Sequence, residues 1–459
     1  MARICVAFRN GIFYDQRSVG DDIPCFYECF IKELTESGND VLVFNHSINY
    51  HDDFTVPLDI EKKIKDFDPQ CCIVFNNDFY DLSKVVDCNI IIYEVDSILY
   101  YQNKKSIRND KNRYFYFVSQ SNSIDVLANE FGIRKSRIVW VPFFSSIKNI
   151  NIPKKHNICF IGSNFSANSK LNSCIERFVN DVKSDELLAS YRNMLNDFCE
   201  NPYVDEKLLF ERNNIPHEYR GYFDRHELVK RFSGSSRIDV LNQISDLDLV
   251  IYGTYSWLVG MTCFPDIVLC FRNQLKYSFN DNQEIYNSSK IGININHLQA
   301  TSGFSWRVCD IMASDSCLVS VHTADIEKLF PGIHIPLFHN KFEARKICQD
   351  LLLNENKRKD IVLSCNEMID KNYRFNNILN CLNSIVPVNV NGEKGKCEIV
   401  TLRGDNSGVF EEEILDIKKR LKNAIYLCAL FFGQFPLLDL IINKKVREKL
   451  YGRLKKYSR

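Results

Sequence analysis

Short apolar runs rich in β-branched residues recur through the first 150 positions, separated by segments of helical periodicity, and this alternation restricts the chain more than any other feature. Arg3–Phe8, Asp40–Phe44, Cys71–Phe75, Asn89–Tyr93, Tyr114–Val118 and Arg137–Val141 each read as a buried strand. Between the first two, Ile23–Ser37 spaces Phe26, Phe30 and Leu34 on one helical face before Gly38-Asn39 ends the helix. Strands alternating with helices in this way specify an α/β domain built on a parallel sheet. The pattern restarts after Pro153-Lys154-Lys155, where His156–Ile161 gives a new strand followed by Gly162-Ser163.

With 459 residues the chain can bury two such cores. The expected division is a first domain over 1–150 and a second over 151–385. In the second, residues from about 168 to 245 lack strand signals and read as a helical insertion. Strands resume at Asp248–Gly253, Ile291–Ile295, Ser316–Val321 and Ile333–Leu337, and amphipathic helices follow over 340–354 and 357–371. Residues 386–408, with Pro, Gly and many polar side chains, are expected to be a linker.

The remaining segment, 409–459, reads as an amphipathic basic helical tail. It opens on Glu411-Glu412-Glu413, runs through an apolar stretch from Ala424 to Ile442, and ends with Lys444, Lys445, Arg447, Lys449, Arg453, Lys455, Lys456 and Arg459. The apolar stretch approaches the about 20 residues of a bilayer span, but Gly433, Gln434, Pro436 and Asp439 interrupt it. Two readings stay open. The tail lies on an anionic membrane surface, or its apolar part packs back on the first domain.

Lys plus Arg equal Asp plus Glu at 58 each, a balance unsuited to embracing nucleic acid. The amino terminus, Met-Ala-Arg-Ile-Cys-Val-Ala-Phe, has no signal-peptide pattern and reads as the first strand. Of 18 cysteines, Cys5, Cys71, Cys72, Cys159 and Cys270 sit in apolar runs, where cysteine acts as a small hydrophobe in a reducing compartment. Cys25 and Cys29 have helical spacing but no second pair to complete a metal site. These features indicate a cytoplasmic protein, peripheral on the inner membrane face if the tail binds lipid.

Open α/β sheets bind ligands beyond the carboxyl ends of their strands, so chemistry is sought there. The segment Tyr286-Asn287-Ser288-Ser289-Lys290-Ile291-Gly292-Ile293-Asn294 runs from a helix end into a strand. Thr301-Ser302-Gly303-Phe304-Ser305-Trp306-Arg307-Val308-Cys309-Asp310-Ile311-Met312-Ala313 is a loop opening a helix. These residues resemble the CgeB-like branch of the group 1 glycosyltransferases. That family has a Tyr-x-x-Ser-Lys-Ile-x-x-Asn run, then Gly with Arg four residues on, an acidic residue three later and a Met-Ala segment. The resemblance covers roughly residues 240–385 and, more loosely, the two-domain plan.

The resemblance implies the GT-B fold, two Rossmann-like domains facing a cleft, with a helical insertion in the second domain and a helical C-terminal extension. It also implies a nucleotide-sugar donor in the second domain. Ser302 and Gly303 would take the phosphate at the helix start, Arg307 would neutralise it, and Asp310 would hold the ribose. A helix amino terminus and a bidentate guanidinium are suited to an anion. On the helix, Arg307 and Asp310 are expected to share one face, either as this donor site or as an intrahelical ion pair. Tyr286, Ser289 and Lys290 belong to the same expected donor site, with Lys290 open to being a solvated strand-entrance lysine. Gly162, Ser163 and Tyr255 follow two further strands and are added to it. Many retaining relatives carry a Glu-x7-Glu pair, but here Ser302 and Asp310 stand at its two positions, which leaves stereochemistry undecided.

The first domain is expected to bind the acceptor and supply a general base. Asp15, Asp21, His46 and Asp96 are candidates, with Asp21 and Asp96 preferred, and Arg9 and Arg17 are placed beside anionic groups. No Asp-x-Asp run follows a strand, so the leaving phosphate is expected to be neutralised without a metal cofactor. The leading function is sugar transfer from a nucleotide sugar to a glycan or lipid-linked glycan acceptor in bacterial surface-polysaccharide assembly. The alternatives are an inactive GT-B-like protein that binds glycans or nucleotides, and a nucleotide-sugar epimerase.

Overall fold

The computed structural model describes residues 2–10, 23–46, 56, 58–76, 80–98, 101, 107–108, 111–165, 181–182, 184–200, 206–223, 225–254, 257–258, 264–272, 274, 276–386 and 388–402. Asp15, Arg17, Asp21, Tyr255 and the tail from 409 onward lie outside the described residues.

In the first domain β1 (Arg3–Arg9), β2 (Asp40–His46), β3 (Cys71–Phe75), β4 (Asn89–Tyr93), β5 (Tyr114–Val118) and β6 (Ile138–Trp140) are all parallel. Both faces of this sheet are covered, which is why its strands read as unbroken apolar runs. Along β1, Ile4, Val6 and Phe8 enter one core, and Cys5 and Ala7 enter the other. Helix α1 (Cys25–Glu36) covers the first face through Phe26, Phe30 and Leu34, and α2 (Leu58–Phe67) covers the second through Ile60 and Ile64. A short helix, α3 (Ser121–Asp125), follows β5.

The second domain has β7 (His156–Ile161), β8 (Leu249–Tyr252), β9 (Phe271–Arg272), β10 (Ser289–Asn294), β11 (Cys317–Val321) and β12 (Leu337–Phe338). They form a parallel sheet in the order β12-β11-β10-β7-β8-β9. Counted from β7, this is the doubly wound order in which the chain reverses direction across the sheet between β7 and β10. The expected insertion is helical where described: α4 (Asp185–Glu200), α5 (Glu206–Arg212) and α6 (Arg225–Gln243). It has a small core of its own, including Met194, Phe198, Leu209 and Val229. The sheet is flanked by α7 (Pro265–Cys270), α8 (Phe279–Asn287), α9 (Arg307–Met312), α10 (Ala324–Leu329), α11 (Lys341–Leu353) and α12 (Glu355–Asn372).

The boundary at 385 and the linker expected over 386–408 require correction. Helix α13 (Phe375–Asn383) already packs on the first domain, with Phe375 edge-on to Phe30 at 5.3 Å. Residues expected to be linker then form β13 (Cys397–Leu402), which pairs parallel to β2 and completes the first sheet as β13-β2-β1-β3-β4-β5-β6. As an edge strand β13 buries little, and Glu398 reaches Lys63 at 2.5 Å, so its composition is that of a surface segment. One apolar core runs from α1 through Phe143 and Phe144 into the second sheet, joining the domains.

Candidate functional site

The reversal between β7 and β10 is the topological switch point where sheets of this order open a crevice beyond their carboxyl ends, and Gly162–Asn164 and Ile295–His297 follow the two strands there. Arg237 reaches into it from α6. Its Nη1 donates to the Ser163 carbonyl at 2.7 Å, and Nε and Nη2 donate to the Ile295 carbonyl at 3.2 and 3.1 Å. The guanidinium lies against Phe165 and Phe160, with Cζ 4.5 and 5.5 Å from the ring centres. Arg237 is 1% exposed, and no carboxylate pairs with it among the described residues. Burial, and then the charge of Arg307, weigh against its protonated form. A guanidinium is too basic to respond by releasing its proton, so the site holds a buried cation without a counter-ion among the described residues.

Arg307, the first residue of α9, is the second cation. It is half-buried, with Nη1 3.3 Å from Ser305 Oγ and Cζ 5.8 Å from the Trp306 ring, and it too has no carboxylate partner among the described residues. Asp310 does not share its solvent-facing side. It is 4% exposed beneath the segment crossing between the domains, where Oδ1 accepts from Ser145 Oγ at 2.6 Å and Oδ2 has no partner. Burial pushes its carboxyl up to about 7. The Tyr286 hydroxyl, also buried and unpartnered, feels both Arg307 and Asp310, and burial raises it well above the usual phenol range.

Several expected donor residues are engaged elsewhere. The Gly162 N–H donates to Tyr252 O at 2.9 Å and its carbonyl accepts from Trp257 Nε1 at 2.8 Å, while Ser163 contributes the carbonyl that holds Arg237. Helix α9 starts four residues after Gly303, and a Cβ on Gly303 would stand 2.4 Å from Gln120 Cγ of the first domain. Ser302 Oγ lies 2.9 Å from both Asn122 Oδ1 and Asp325 Oδ2. Ser302 and Gly303 thus lie against Gln120 and Asn122 of the first domain, with Asp325 of the second domain beside them.

Ser289 and Lys290 stand at the amino-terminal end of β10, away from the crevice, because Ser289 aligns with His156 at the start of β7. Ser289 Oγ donates to Ile285 O at 2.9 Å, and Lys290 is half-buried beside it. The polar run here is a joint. Asn287 Oδ1 accepts from Ile150 N and Asp315 N at 3.0 and 2.9 Å, and Ser316 Oγ donates within 2.8 Å of two carbonyls, those of Tyr286 and Ser289.

Across the cleft, Asp96 is exposed beyond β4. Asn76 fixes it, with Oδ1 accepting from Asp96 N at 2.7 Å and Nδ2 donating to Asp96 Oδ2 at 3.0 Å, and Gln299 Nε2 meets Asp96 Oδ1 from the second domain. Neighbouring Glu94 is buried. It accepts from Ser119 N at 2.9 Å and Ser123 Oγ at 2.5 Å, and burial pushes it up to about 7. His46 is buried at the end of β2, and Cys25 and Cys29 are buried on α1. Among the described residues no cluster of three or more His, Cys, Asp or Glu could hold a metal ion.

Arg237 was not found by sequence reasoning. Its helix carries little amphipathic signal, because the buried face of α6 mixes Ser233 and Arg237 with Val240 and Leu241.

Residues 237–383 match the protein family described as Glycosyl transferase-like. No curated protein matches the chain. Among solved structures, sucrose-phosphate synthase from Thermosynechococcus elongatus aligns with a TM-score of 0.52 and 8% identity, over 84% of this chain and 98% of that one. T4 phage BGT in complex with UDP and Mn2+ aligns at 0.44 and 10% identity, over 84% and 99%. Anabaena Alr3699/HepE in complex with UDP-glucose aligns at 0.43 and 10% identity, over 84% and 100%. The fold is GT-B: two parallel α/β domains facing a cleft. Among the described residues no helix is long and apolar enough to cross a membrane.

Proposed function

We propose that the chain is a glycosyltransferase that moves a sugar from a nucleotide donor to an acceptor hydroxyl. The observation that carries this reading is the pair Arg237 and Arg307, two guanidinium groups without carboxylate partners among the described residues at the switch-point crevice. A buried unpaired cation costs stability, and a bound anion would offset that cost. Arg237 fixes the crevice loops from below, and Arg307 has the freedom to meet a diphosphate with charge-assisted, two-point bonds. Leaving-group charge grows as the sugar–oxygen bond breaks, so cations placed there stabilise the transition state more than the ground state. Asp96, facing the cleft from the first domain, is our choice for the base that takes the acceptor proton.

Within this class, the run from Tyr286 to Asp310 relates the chain to the CgeB-like branch. Two guanidinium groups at the leaving phosphate support a metal-independent reaction, and turnover undiminished by a chelator is the expected outcome. Activity lost in chelator and restored by magnesium or manganese would remove that part. The acceptor side rests on the basic tail, whose Lys444–Arg459 segment suits an anionic inner-membrane surface where lipid-linked glycans of surface polysaccharides are extended.

Incubation with a panel of UDP, GDP, CMP and ADP sugars tests the function. Donor hydrolysis or transfer is expected. Binding without turnover favours the binding-protein alternative, an isomerised donor favours the epimerase, and no interaction with any donor sinks all three.

A further inference from the structure

Among the contacts through which the domains meet, two sets differ in chemistry. One is apolar: Phe26 of α1 stacks on Trp306 at 5.4 Å, Phe143 approaches the same indole at 6.2 Å, and Phe375 closes on Phe144 at 5.0 Å. The other is polar and centres on Asp325. This residue is fully buried; Oδ2 accepts from Ser121 N at 2.8 Å and lies 2.9 Å from Ser302 Oγ, and Oδ1 accepts from Ser121 Oγ at 2.5 Å. Lys328 stands 3.6 Å from Oδ1 and donates to Ser121 Oγ at 3.2 Å. Beside it Asn122 Nδ2 donates to Thr301 Oγ1 at 2.6 Å, and Asn122 N donates to Ser302 Oγ at 3.3 Å. The first-domain half is held in shape by Glu94, which accepts from the backbone entering α3.

We propose that Asp325 is a positioning residue at the hub of an interdomain clasp, which sets the first domain over the donor crevice. Apolar contacts lose their stabilisation when water enters. Hydrogen bonds between short side chains exchange with water at little net cost, those to the Asp325 carboxylate being the strongest of the set. The polar set can therefore part while the apolar set stays packed, and polar interfaces between domains are where relative motion is expected. The clasp also acts on the right segment. Thr301 and Ser302 belong to the loop that leads from Ile295, which holds Arg237, to Arg307, so parting the clasp frees the crevice wall between the two cations. Gly303 lacks a side chain because Gln120 fills the space a Cβ would need.

The consequence for catalysis rests on the proposed transfer reaction. A clasp that positions first-domain groups over a bound donor should govern kcat, while donor affinity, set by the two arginines, is left nearly unchanged. The test uses the full chain with Asp325→Ala and, as a milder variant on the half-buried side, Asn122→Ala. Hydrogen exchange of segments 119–123 and 299–303 is expected to quicken about three- to tenfold in Asn122→Ala, as for the loss of one or two hydrogen bonds, with β1 and β10 unchanged. On the donor identified by the panel, kcat should fall by a similar factor and KM by less than about twofold either way. Unchanged exchange in 299–303, equal acceleration of β1 and β10 in both variants, or an unaltered kcat with the segments loosened would each overturn the proposal. If the chain turns over no donor, the transfer reading fails, and the exchange measurement alone still decides whether the clasp exists.

Discussion

Arg307 and Asp310 were legible in the sequence as a chemical pair, and the structure separates them by environment. Arg307 is half-buried without a carboxylate partner among the described residues, so Arg307→Ala should weaken nucleotide binding by about tenfold or more, the loss of at least one charge-assisted bond, with little change in melting temperature. Calorimetric titration measures the first and differential scanning the second; an unchanged affinity would remove Arg307 from the site. Asp310 is different because burial raises its carboxyl to about 7, as it does Glu94. In the unfolded chain such groups titrate near 4, so between about pH 4 and 7 the folded protein binds more protons than the unfolded one. Stability from these groups is therefore greatest at low pH and falls as pH rises towards 7. Asp310→Asn keeps the acceptor for Ser145 and removes the titration. Its melting temperature should exceed that of the parent at pH 8, with the gap closing towards pH 4, and a gap independent of pH would show that Asp310 is not the group responsible. The residue the sequence did not yield, Arg237, sits on a helix whose alternation is too weak to declare which face is buried.

At the scale of elements, the buried parallel strands were readable because both faces bury apolar side chains; β1, β3, β4, β5 and β7 lie where their runs predict. What escaped were elements whose burial is slight. β9 is only Phe271–Arg272, and β13 is an edge strand in a stretch containing Gly392 and Gly395 that reads as linker. Those glycines are explained by close approach. Gly38 ends α1 with φ +96°, and a Cβ there would lie 2.6 Å from Gly392 Cα, where the returning chain crosses the turn. Gly38→Ala is thus strained in its backbone and blocked in space, and should cost about 1–3 kcal/mol in urea unfolding. A loss below about 0.5 kcal/mol would mean that the crossing yields.

For the molecule as a whole, the restart at residue 156 announced two domains, but how they face each other depends on contacts no local pattern encodes. Gln120 against Gly303 and Ser121 against Asp325 join residues about two hundred positions apart, and they turn a loop expected to cradle phosphate into part of an interdomain contact. The anion site we propose lies instead beyond the carboxyl ends of β7 and β10, where the buried Arg237 feels the charge of Arg307. A crystal structure of the complex with a nucleoside diphosphate tests this claim most directly. The diphosphate is expected beyond the carboxyl ends of β7 and β10, bonded to Arg307 with Arg237 beneath it; a diphosphate bound elsewhere, leaving both arginines without an anion, would overturn the proposed site.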